Sequence, residues 1–386
     1  MDYCPDKFNI GVLGGGQLAR MLHQESIALG LNINFLDPDL RCSVAQVSPG
    51  FQHGNFQDYD DVINFGKRHS IVTIEIENVN DKALEMLAND GVKVFPQPHI
   101  IRLIKDKGTQ KEFFRSNDFP SAPFEFIQSK KELESCILSG KIKYPFVQKL
   151  KIGGYDGRGV SIIKSEEDKD KILDSPSVIE QLAIIKKELS VIAIRSANGE
   201  CSTYPAVEME FHPDANLVDI LICPAEIPGD IEKKAQQLAS DIARKLEIIG
   251  LLAVEMFYLE DNTIWINELA PRPHNSGHHT LSNGSVSQFE NHLRAITGMP
   301  LGDTTGLVSS AMINIIGDDD AYGEPIYPDF DKLISIPGVA VYLYGKQEVR
   351  PFRKMGHVSI VAHSLTQCRE KVNAVRPFLK VKSKNL

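Results

Sequence analysis

The residues best suited to chemistry begin with a glycine-rich loop, GGYDGRG at residues 153–159, which lies between two apolar runs. Because glycine has no Cβ, successive backbone N–H groups of such a loop can approach anionic phosphate oxygens closely. Lys149, just before the loop, can neutralise phosphate charge as a point cation. The P-loop pattern G-x-x-x-x-G-K-[ST] is absent. The stretch therefore predicts a lid between two strands that closes over a nucleotide, with an exposed hairpin turn as the alternative.

A pair of carboxylates forms the second candidate site. Glu255 and Glu268 lie in the otherwise apolar segments LLAVEMFYL and TIWINEL. A buried unpaired carboxylate is costly, and two that face each other repel unless a cation lies between them. Mg²⁺ prefers one or two carboxylates together with phosphate oxygens and water. Glu255, Glu268 and the neighbouring Asn267 therefore predict a Mg²⁺–nucleotide site, unless one or both carboxylates point to solvent.

Two further stretches concentrate side chains that suit anion binding. APRPHNSGHHT, residues 270–280, is a loop of the kind that carries binding groups on a rigid scaffold. Zinc is disfavoured there, because no cysteine is close and the loop is not a helix bearing an H-x-x-x-H pair. YGKQEVRPFRKMGH, residues 344–357, predicts a pocket for a phosphate monoester or, alternatively, a solvated basic strand edge. The side chains concerned are Arg272, His274, Asn275, Ser276, His278, His279, Lys346, Arg350, Arg353 and Lys354.

A glycine turn near the N-terminus permits a different interpretation. Gly14, Gly16 and Ala19 form G-x-G-x-x-A between a predicted strand and helix, and Asp37 follows about twenty residues later. This is the dinucleotide fingerprint, and taken alone it supports an NAD(P)-dependent oxidoreductase. A glycine turn at a helix N-terminus binds any phosphate, however, and nothing downstream resembles a hydride-transfer site.

Composition limits the class of protein. The chain has 386 residues, 42% of them hydrophobic, and a formal net charge of −9, which argues against wide contact with nucleic acid or an anionic membrane. No window approaches eighteen unbroken apolar residues, and the N-terminus lacks the pattern of a signal peptide. The six scattered cysteines are expected to be reduced thiols. We therefore expect a cytoplasmic protein.

The elements that must position these residues follow from hydrophobic patterning. Residues 8–37 read strand, glycine turn, helix and strand, which predicts a parallel, doubly wound sheet for roughly the first hundred residues. Later segments predict α+β structure: two strands that flank the glycine loop, an amphipathic helix over 231–250, and a hairpin that turns at Asp261 and Asn262. A small terminal sheet is expected beyond about residue 300.

The ordered set of motifs resembles the ATP-grasp superfamily and, more narrowly, the N5-carboxyaminoimidazole ribonucleotide synthetases, the ATPase subunit of phosphoribosylaminoimidazole carboxylase. The resemblance runs from about residue 8 to residue 378 and rests on GVLGGGQLARM, TIEIENV, DKGTQKEFF, GGYDGRG, INELAPRPHNSGH, SQFENHLRAITG and GKQEVRPFRKMGH. It implies a Rossmann-like pre-ATP-grasp domain (1–105), an ATP-grasp fold (106–300, with a lid subdomain at about 120–190) and a small β-rich C-terminal domain (301–386).

The resemblance also implies a function. Bicarbonate would attack the γ-phosphate of ATP to form carboxyphosphate, with Mg²⁺ and lysines stabilising the charge. The amine of 5-aminoimidazole ribonucleotide would then be carboxylated to N5-carboxyaminoimidazole ribonucleotide, in de novo purine biosynthesis. The carboxyl group would come either from carboxyphosphate directly or from CO₂ that carboxyphosphate releases in the closed pocket. A separate mutase would follow, and a homodimer with no nucleic-acid or membrane partner is expected. The alternatives are another ATP-grasp ligase, such as a formate-using glycinamide ribonucleotide transformylase or a biotin carboxylase, and a regulatory protein that has lost catalysis.

Matching the motifs residue by residue assigns roles in this chain. The catalytic group would be Arg158, Arg272, His274 and Tyr155. ATP would be bound by Lys107, Lys149, Gly154, Tyr155, Asp156, Gly157, Arg158, Gly159, Val160, Glu180, Gln181, Leu182, Ala183, Glu188, His212, Asn267 and Glu268, with Glu180 holding adenine and Glu188 the ribose. The ribonucleotide would be bound by Gly16, Gln17, Glu77, Asn78, Asn275, Lys346 and Arg353, and Mg²⁺ by Glu255 and Glu268.

Overall fold

Parallel strands near the N-terminus and antiparallel strands elsewhere build the fold, which the computed structural model describes for residue 4 and residues 7–154, 159–211 and 217–384. The strands are β1 (Asn9–Leu13), β2 (Asn32–Asp37), β3 (Phe51–His53), β4 (Ile71–Ile74), β5 (Lys93–Val94), β6 (Phe124–Ile127), β7 (Phe146–Leu150), β8 (Val160–Ile163), β9 (Ser177–Gln181), β10 (Ile185–Arg195), β11 (Cys201–Thr203), β12 (Val207–Phe211), β13 (Val218–Cys223), β14 (Gly250–Leu259), β15 (Ile264–Ala270), β16 (Ser309–Ile316), β17 (Pro325–Ile326), β18 (Val339–Leu343), β19 (Lys354–Ala362) and β20 (Lys382–Ser383). The helices are α1 (Gln17–Ala28), α2 (Tyr59–Gly66), α3 (Asp81–Asn89), α4 (Pro98–Lys105), α5 (Lys107–Ser116), α6 (Lys130–Leu138), α7 (Gly229–Lys245), α8 (Gln288–Thr297), α9 (Phe330–Ile334) and α10 (Leu365–Val375).

The N-terminal sheet has the strand order β3-β2-β1-β4-β5, and its strands are parallel. This confirms the predicted β1–α1–β2 unit, in which Leu18, Met21 and Leu22 are buried. Parallel strands need crossover connections, and the helices that provide them cover both faces of the sheet. The glycine turn lies at the carboxyl end of β1, the edge where parallel sheets bind ligands.

A smaller antiparallel sheet, which we call the lid sheet, has the order β6-β9-β7-β8. Strands β7 and β8 pair antiparallel with Lys149 opposite Val160, so the glycine loop connects them as predicted. Strand β9 lies between β6 and β7 and leads through Leu182 and Ala183 directly into β10 of the next sheet. The lid sheet is therefore connected to the large sheet through its inner strand β9.

The large sheet has the order β15-β14-β10-β12-β13-β16-β19-β18, with β11 paired to β10. Strands β16, β19 and β18 continue it from β13, so the terminal strands are not the separate small sheet expected beyond residue 300. The reason is the apolar edge of β13, where Ile220 and Ile222 pair with Ile313 and Ala311 of β16 in one buried core. Strands β17 and β20 form a short pair of their own.

The two faces of the large sheet have different roles because side chains alternate along a strand. On β10, Leu189 and Val191 pack against α7 in a core of aliphatic side chains. Glu188 and Ser190 lie on the opposite face, toward the short 3₁₀ helix Asn275–Leu281. On β10, the polar side chains of Glu188 and Ser190 therefore share the face that is turned away from α7. Within the described residues, no helix combines the length and apolar character needed to cross a bilayer.

Candidate active site

Charged side chains from the two antiparallel sheets meet where the lid sheet faces the large sheet. Lys107 Nζ, at the start of α5, lies 2.6 Å from Glu268 Oε1 on β15. Lys149 Nζ, at the end of β7, lies 2.8 Å from Asn267 Oδ1 on β15 and 2.9 Å from Glu180 Oε2 on β9. The structure thus brings together five predicted ATP-site residues from four separate segments, α5, β7, β9 and β15.

Both carboxylate oxygens of Glu180, the predicted adenine ligand, are paired with lysines of the protein. Its second carboxylate oxygen, Oε1, lies 2.9 Å from Lys111 Nζ, so each oxygen faces a lysine ammonium. Burial pushes the pKa of Glu180 upward, but Lys149 and Lys111 together hold it below its ordinary value. The carboxylate is therefore ionised and paired within the protein.

The two predicted metal carboxylates face each other, which confirms the hairpin deduced from the sequence. Glu255 of β14 pairs directly with Glu268 of β15, whereas Met256 pairs with Ile266, so a β-bulge lies at Asn267. Leu269 and Ile266 both pack into the aliphatic core, so the two residues between them face the site together. The bulge explains how two consecutive residues can both contact lysines of the ATP site.

Burial raises the pKa of Glu255 to about 7, with further increases from the charges of Glu268 and Glu188. Such a carboxylate gains by binding a cation. The two carboxylates and the Asn267 oxygen fit Mg²⁺, which takes its remaining ligands from phosphates and water. Among the described residues, no cluster of three His, Cys, Asp or Glu side chains is arranged as an all-protein metal site.

The remaining predicted ATP-site residues lie along the connection between the sheets and around the glycine loop. Glu188 is half-buried on β10, and burial raises its pKa to about 7 against the opposing charge of Lys149. Gln181 is the last residue of β9, and Leu182 and Ala183 follow it in the link to β10. Gly154, Gly159 and Val160 flank the tip of the glycine loop. The predicted residues Tyr155, Asp156, Gly157, Arg158 and His212 lie outside the described residues.

The N-terminal glycine turn is occupied by carboxylates of the protein itself. The Gly15 N–H donates to Asp37 Oδ2 at 2.7 Å, and the Gly16 N–H donates to Glu75 Oε1 at 2.9 Å. Gly14 has a φ of +105°, and a Cβ there would lie 2.5 Å from Glu75 Cγ, so only glycine fits. Asp37 is buried, and its carboxylate stabilises this turn by accepting the Gly15 N–H. The dinucleotide interpretation would instead require an Asp37 carboxylate that is accessible to a ribose hydroxyl.

Predicted ribonucleotide-binding residues surround the same turn. Arg272 Nε lies 2.7 Å from Glu77 Oε1, and exposed Asn78 follows Glu77. Burial raises the pKa of Glu75, which the Gly16 N–H and the charge of Arg272 oppose. Gln17 begins α1 on the adjacent turn.

The C-terminal basic residues approach this turn from the other end of the chain. Lys346 Nζ donates to the Lys354 carbonyl at 2.6 Å, and burial, with the charges of Arg353 and Lys354, lowers its pKa to about 7. Glu75 opposes that decrease, which places this carboxylate near Lys346. The half-buried Arg353 donates to the Glu348 carbonyl at 2.7 Å. Lys346 therefore brings a basic side chain toward Glu75 and the glycine turn, an arrangement compatible with the phosphate-monoester hypothesis.

His274 is held by a directional chain of hydrogen bonds. Its Nδ1 accepts from the backbone N–H of Ser276 at 3.3 Å and lies 2.8 Å from Ser276 Oγ, which lies 2.8 Å from Ser190 Oγ. A backbone N–H can only donate, so Nδ1 carries the lone pair and the ring proton is on Nε2. Nε2 lies 3.6 Å from Glu255 Oε1. Burial, with the charges of Arg272 and Lys354, lowers the pKa of His274 to about 3, so the ring is a neutral donor.

Three residues of this arrangement were not predicted: Lys111, Glu75 and Ser190. Lys111 is spaced i+4 from Lys107, a pattern that usually marks a solvated helix face. Glu75 lies in the motif TIEIENV, two residues before the predicted Glu77, and strand alternation would have placed both on one face. Nothing in the sequence distinguishes Ser190 from other strand serines.

Asn275, predicted to bind the ribonucleotide, lies in the loop that contains His274, and its Oδ1 is buried without a hydrogen-bond partner among the described residues. An unpaired buried oxygen of this kind is suited to accept from a ligand amine.

Comparisons with known proteins agree with this geometry. Residues 8–105 match the ribonucleotide synthetase preATP-grasp domain, 112–289 the ATP-grasp domain and 310–371 the phosphoribosylaminoimidazole carboxylase C-terminal domain. The chain is 36% identical to phosphoribosylaminoimidazole carboxylase of Candida glabrata over 96% of its own length and 66% of the relative's, so it spans about two thirds of that protein.

In two further matches, this chain covers nearly the full length of the similar protein. N5-carboxyaminoimidazole ribonucleotide synthase of Bacillus subtilis is 36% identical over 91% of each chain. The crystal structure of N5-carboxyaminoimidazole synthase from Aspergillus clavatus, in complex with ADP and 5-aminoimidazole ribonucleotide, is 32% identical with a TM-score of 0.87, covering 96% of this chain and 98% of that one.

Proposed function

Because the chain belongs to the N5-carboxyaminoimidazole ribonucleotide synthase family of ATP-grasp proteins, we infer that it uses ATP to carboxylate 5-aminoimidazole ribonucleotide with bicarbonate. The products are N5-carboxyaminoimidazole ribonucleotide, ADP and phosphate, in de novo purine biosynthesis. The observation that carries this inference is the meeting of Lys149, at the glycine loop, with Asn267 beside the carboxylate pair. It joins a phosphate-binding loop to a cation site across two sheets.

In the first step, a bicarbonate oxygen attacks the γ-phosphorus and the bond to the β–γ bridging oxygen breaks, which yields carboxyphosphate and ADP. Lys107 and Lys149 stabilise the charge on the phosphoryl oxygens from positions already fixed by Glu268 and Glu180. Mg²⁺, held by Glu255 and Glu268, would supply further charge neutralisation at the phosphates. The glycine loop excludes water, which would otherwise hydrolyse carboxyphosphate.

In the second step, the C–O bond between the carboxyl carbon and phosphate breaks and the amine nitrogen bonds to the carboxyl carbon. The proton lost by the amine passes to the released phosphate. The neutral Nε2–H of His274 is suited to donate to a carboxyl oxygen, and it cannot act as a base through Nδ1, which is occupied by Ser276. We assign Arg272 and Arg158 to the same anion. The ribonucleotide phosphate would bind between the N-terminus of α1 and the pocket formed by Lys346 and Arg353.

We also propose the remaining features of the family for this chain. These are the division at 1–105, 106–300 and 301–386 with a lid subdomain at about 120–190, a homodimer, a cytoplasmic location and a separate mutase that moves the carboxylate to carbon. The matched ranges 8–105, 112–289 and 310–371 support the division, although the large sheet runs across residue 300 without interruption.

The experiment that tests the function measures ADP release from Mg·ATP and bicarbonate, with and without 5-aminoimidazole ribonucleotide, alongside loss of the amine. We expect the ribonucleotide to stimulate ADP release strongly, with one amine consumed for each ADP formed. ADP release that ignores the ribonucleotide would contradict the proposed acceptor, and absence of ATP turnover would contradict a ligase altogether.

A matched pair of variants connects that activity to the site. Lys149→Met removes the cation between Glu180 and Asn267, and we expect kcat/KM for ATP to fall by about two orders of magnitude. Lys141→Met removes an exposed ion pair with Glu125 in the same part of the chain, and we expect it to retain activity. Equal losses in both variants would contradict the assigned role of Lys149.

A further inference from the structure

Helix α5 contacts both antiparallel sheets through two lysines that lie one turn apart. Lys107 Nζ lies 2.6 Å from Glu268 Oε1 of the large sheet, and Lys111 Nζ lies 2.9 Å from Glu180 Oε1 of the lid sheet. Residues spaced i and i+4 lie on one face of a helix. A single helical face therefore bears on the two sheets between which the nucleotide is proposed to bind.

Lys111 cannot be one of the solvated surface lysines that its sequence pattern suggests. Its side chain is 4% exposed and that of Glu180 is 5% exposed. The ammonium lies 5.9 Å from the centre of the Phe114 ring and 5.8 Å from that of Phe124, the residue paired with Glu180 across β6 and β9. Burial lowers the pKa of Lys111, and the charge of Glu180 opposes that decrease. A charge buried this deeply requires a partner, and Glu180 provides it.

Glu180 pairs with two lysines, Lys111 and Lys149, and Lys149 is the proposed phosphate ligand. Lys149 Nζ lies 2.9 Å from Glu180 Oε2 and 2.8 Å from Asn267 Oδ1. If Lys149 alone neutralised Glu180, the carboxylate would draw the ammonium away from Asn267. With Lys111 on its other oxygen, Glu180 is already neutralised, and Lys149 remains a net positive charge that faces the site.

We propose that Lys111 is a positioning residue: it neutralises Glu180 so that the carboxylate orients Lys149 toward the nucleotide phosphates without cancelling its charge. The inference rests on the proposed function only in taking Lys149 as a phosphate ligand. It differs from the family assignment of Glu180, since the carboxylate acts through the two lysines, and Lys111 need never touch the nucleotide.

The proposal predicts an unusual relation between two substitutions. Lys111→Met leaves Glu180 with Lys149 as its one ammonium partner among the described residues and pulls that lysine away from the site. Glu180→Gln leaves two neighbouring ammonium groups without a carboxylate, so they repel. The double variant Lys111→Met/Glu180→Gln removes both charges of the buried pair and leaves Lys149 free to reach Asn267. The double variant should therefore bind nucleotide better than either single variant.

The test measures ADP and ATP affinity by calorimetry for the wild type, both single variants and the double variant, with thermal unfolding recorded in parallel. We expect each single variant to lose affinity by on the order of tenfold, and the double variant to recover most of it, even if its unfolding temperature stays low. Lys105→Met is the control. Lys105 Nζ lies 3.1 Å from Asp81 Oδ1 in a half-buried ion pair, and this pair is not part of the proposed site. Its nucleotide affinity should equal that of the wild type.

The outcomes separate the proposal from its alternatives. Losses that add in the double variant would overturn it and favour Glu180 as a direct ligand of adenine. Affinity losses that merely follow the unfolding temperature would likewise overturn it in favour of a structural pair. Nucleotide affinity is measured without the ribonucleotide, so recovery in the double variant stands even if the wild type fails to carboxylate the amine, which would refute the proposed function alone.

Discussion

The character of a single side chain in this site is set by the groups that touch it, and His274 illustrates this. The Ser276 N–H and hydroxyl both face Nδ1, which leaves the ring proton on Nε2, toward Glu255. A histidine in this state donates a hydrogen bond but holds no charge. Its contribution then depends on orientation, and the serines behind it become relevant to the reaction.

Removing the Ser276 hydroxyl should loosen that orientation. Ser276→Ala keeps the weaker backbone contact at 3.3 Å but loses the hydroxyl at 2.8 Å, about 1 kcal/mol for one hydrogen bond, or roughly a fivefold decrease in kcat. KM for ATP should not change. Ser285→Ala, which removes a hydroxyl bonded to Asn283 in the same region, is the control. Nitrogen NMR of labelled His274 should show the Nε2–H tautomer, and the Nδ1–H form would contradict the argument.

Glu255 leads to a prediction on pH. Burial raises its pKa to about 7, and Mg²⁺ binds the ionised form, so Mg²⁺ affinity should increase by about tenfold from about pH 6 to about pH 8. Because the pKa of Glu255 is higher in the folded protein than in the unfolded chain, the unfolded chain ionises first. The metal-free protein should therefore lose stability as the pH rises from about 4.5 toward about 7. Metal titrations of the nucleotide complex at several pH values test this prediction.

Glu255→Gln provides the comparison for that pH dependence. The variant should bind Mg²⁺ weakly and without the extra pH dependence, whereas Glu260→Gln, at the hairpin turn, should behave as the wild type. Titration of ATP contributes equally to the pH dependence of Mg²⁺ affinity in all three proteins. The difference between wild type and Glu255→Gln therefore reports on the Glu255 carboxylate. An identical pH dependence in wild type and Glu255→Gln would show that another group titrates.

At the scale of secondary structure, the position of α5 decides where Lys107 and Lys111 lie. Asp106 caps this helix by accepting from the Gly108 N–H at 2.7 Å and the Thr109 N–H at 3.1 Å. The Lys107 N–H also donates to the Lys151 carbonyl at 2.8 Å, which ties the first turn of the helix to the segment that enters the glycine loop. A change at this cap should therefore affect both stability and the site.

The comparison of two helix caps tests that coupling. Asp106→Ala and Asp58→Ala, which removes the equivalent cap of α2, should each lower the free energy of unfolding by about 1 kcal/mol. Only Asp106→Ala should also raise KM for ATP, because α2 packs on the N-terminal sheet and contains none of the proposed ATP-site residues. Urea unfolding and steady-state kinetics measure the two effects. A KM increase in both variants would mean that general destabilisation, and not the position of α5, controls nucleotide binding.

The elements differ in how far the sequence predicted them. The β14–β15 hairpin was predictable, because its strands are apolar and its turn contains Asp261 and Asn262, which tolerate tight turns. The bulge at Asn267 was not, since an extra residue in a strand leaves no mark in an apolar pattern. The buried state of Lys111 was also unpredictable, because it depends on Glu180, which lies on strand β9 of the lid sheet, far along the chain from α5.

At the scale of the whole molecule, the two ends of the chain meet at the glycine turn. The N-terminal segment after β2 contacts the C-terminal basic segment through an exposed pair between Arg41 and Glu348 at 3.0 Å and a hydrogen bond from Gln46 to the Gly345 carbonyl. The residue patterns indicated phosphate binding in each segment, and the family resemblance implied that both bind one ribonucleotide. The sequence did not reveal that β16, β19 and β18 extend the large sheet. Strand pairing between distant segments carries no local signal.

This convergence predicts distinct footprints for the two substrates in hydrogen–deuterium exchange. The phosphate of the ribonucleotide would contact both segments, so the ribonucleotide should slow exchange in residues 14–20 and 344–354 together. Residues 41–46 should also be protected, because Arg41 and Gln46 contact the C-terminal segment. ADP should instead slow exchange in 177–188, the path from the lid sheet to the large sheet. Residues 330–334, the short helix α9 away from both sites, serve as the control. If the ribonucleotide protected only residues 14–20, the glycine turn would bind its phosphate alone, and the basic C-terminal segment would be a solvated edge.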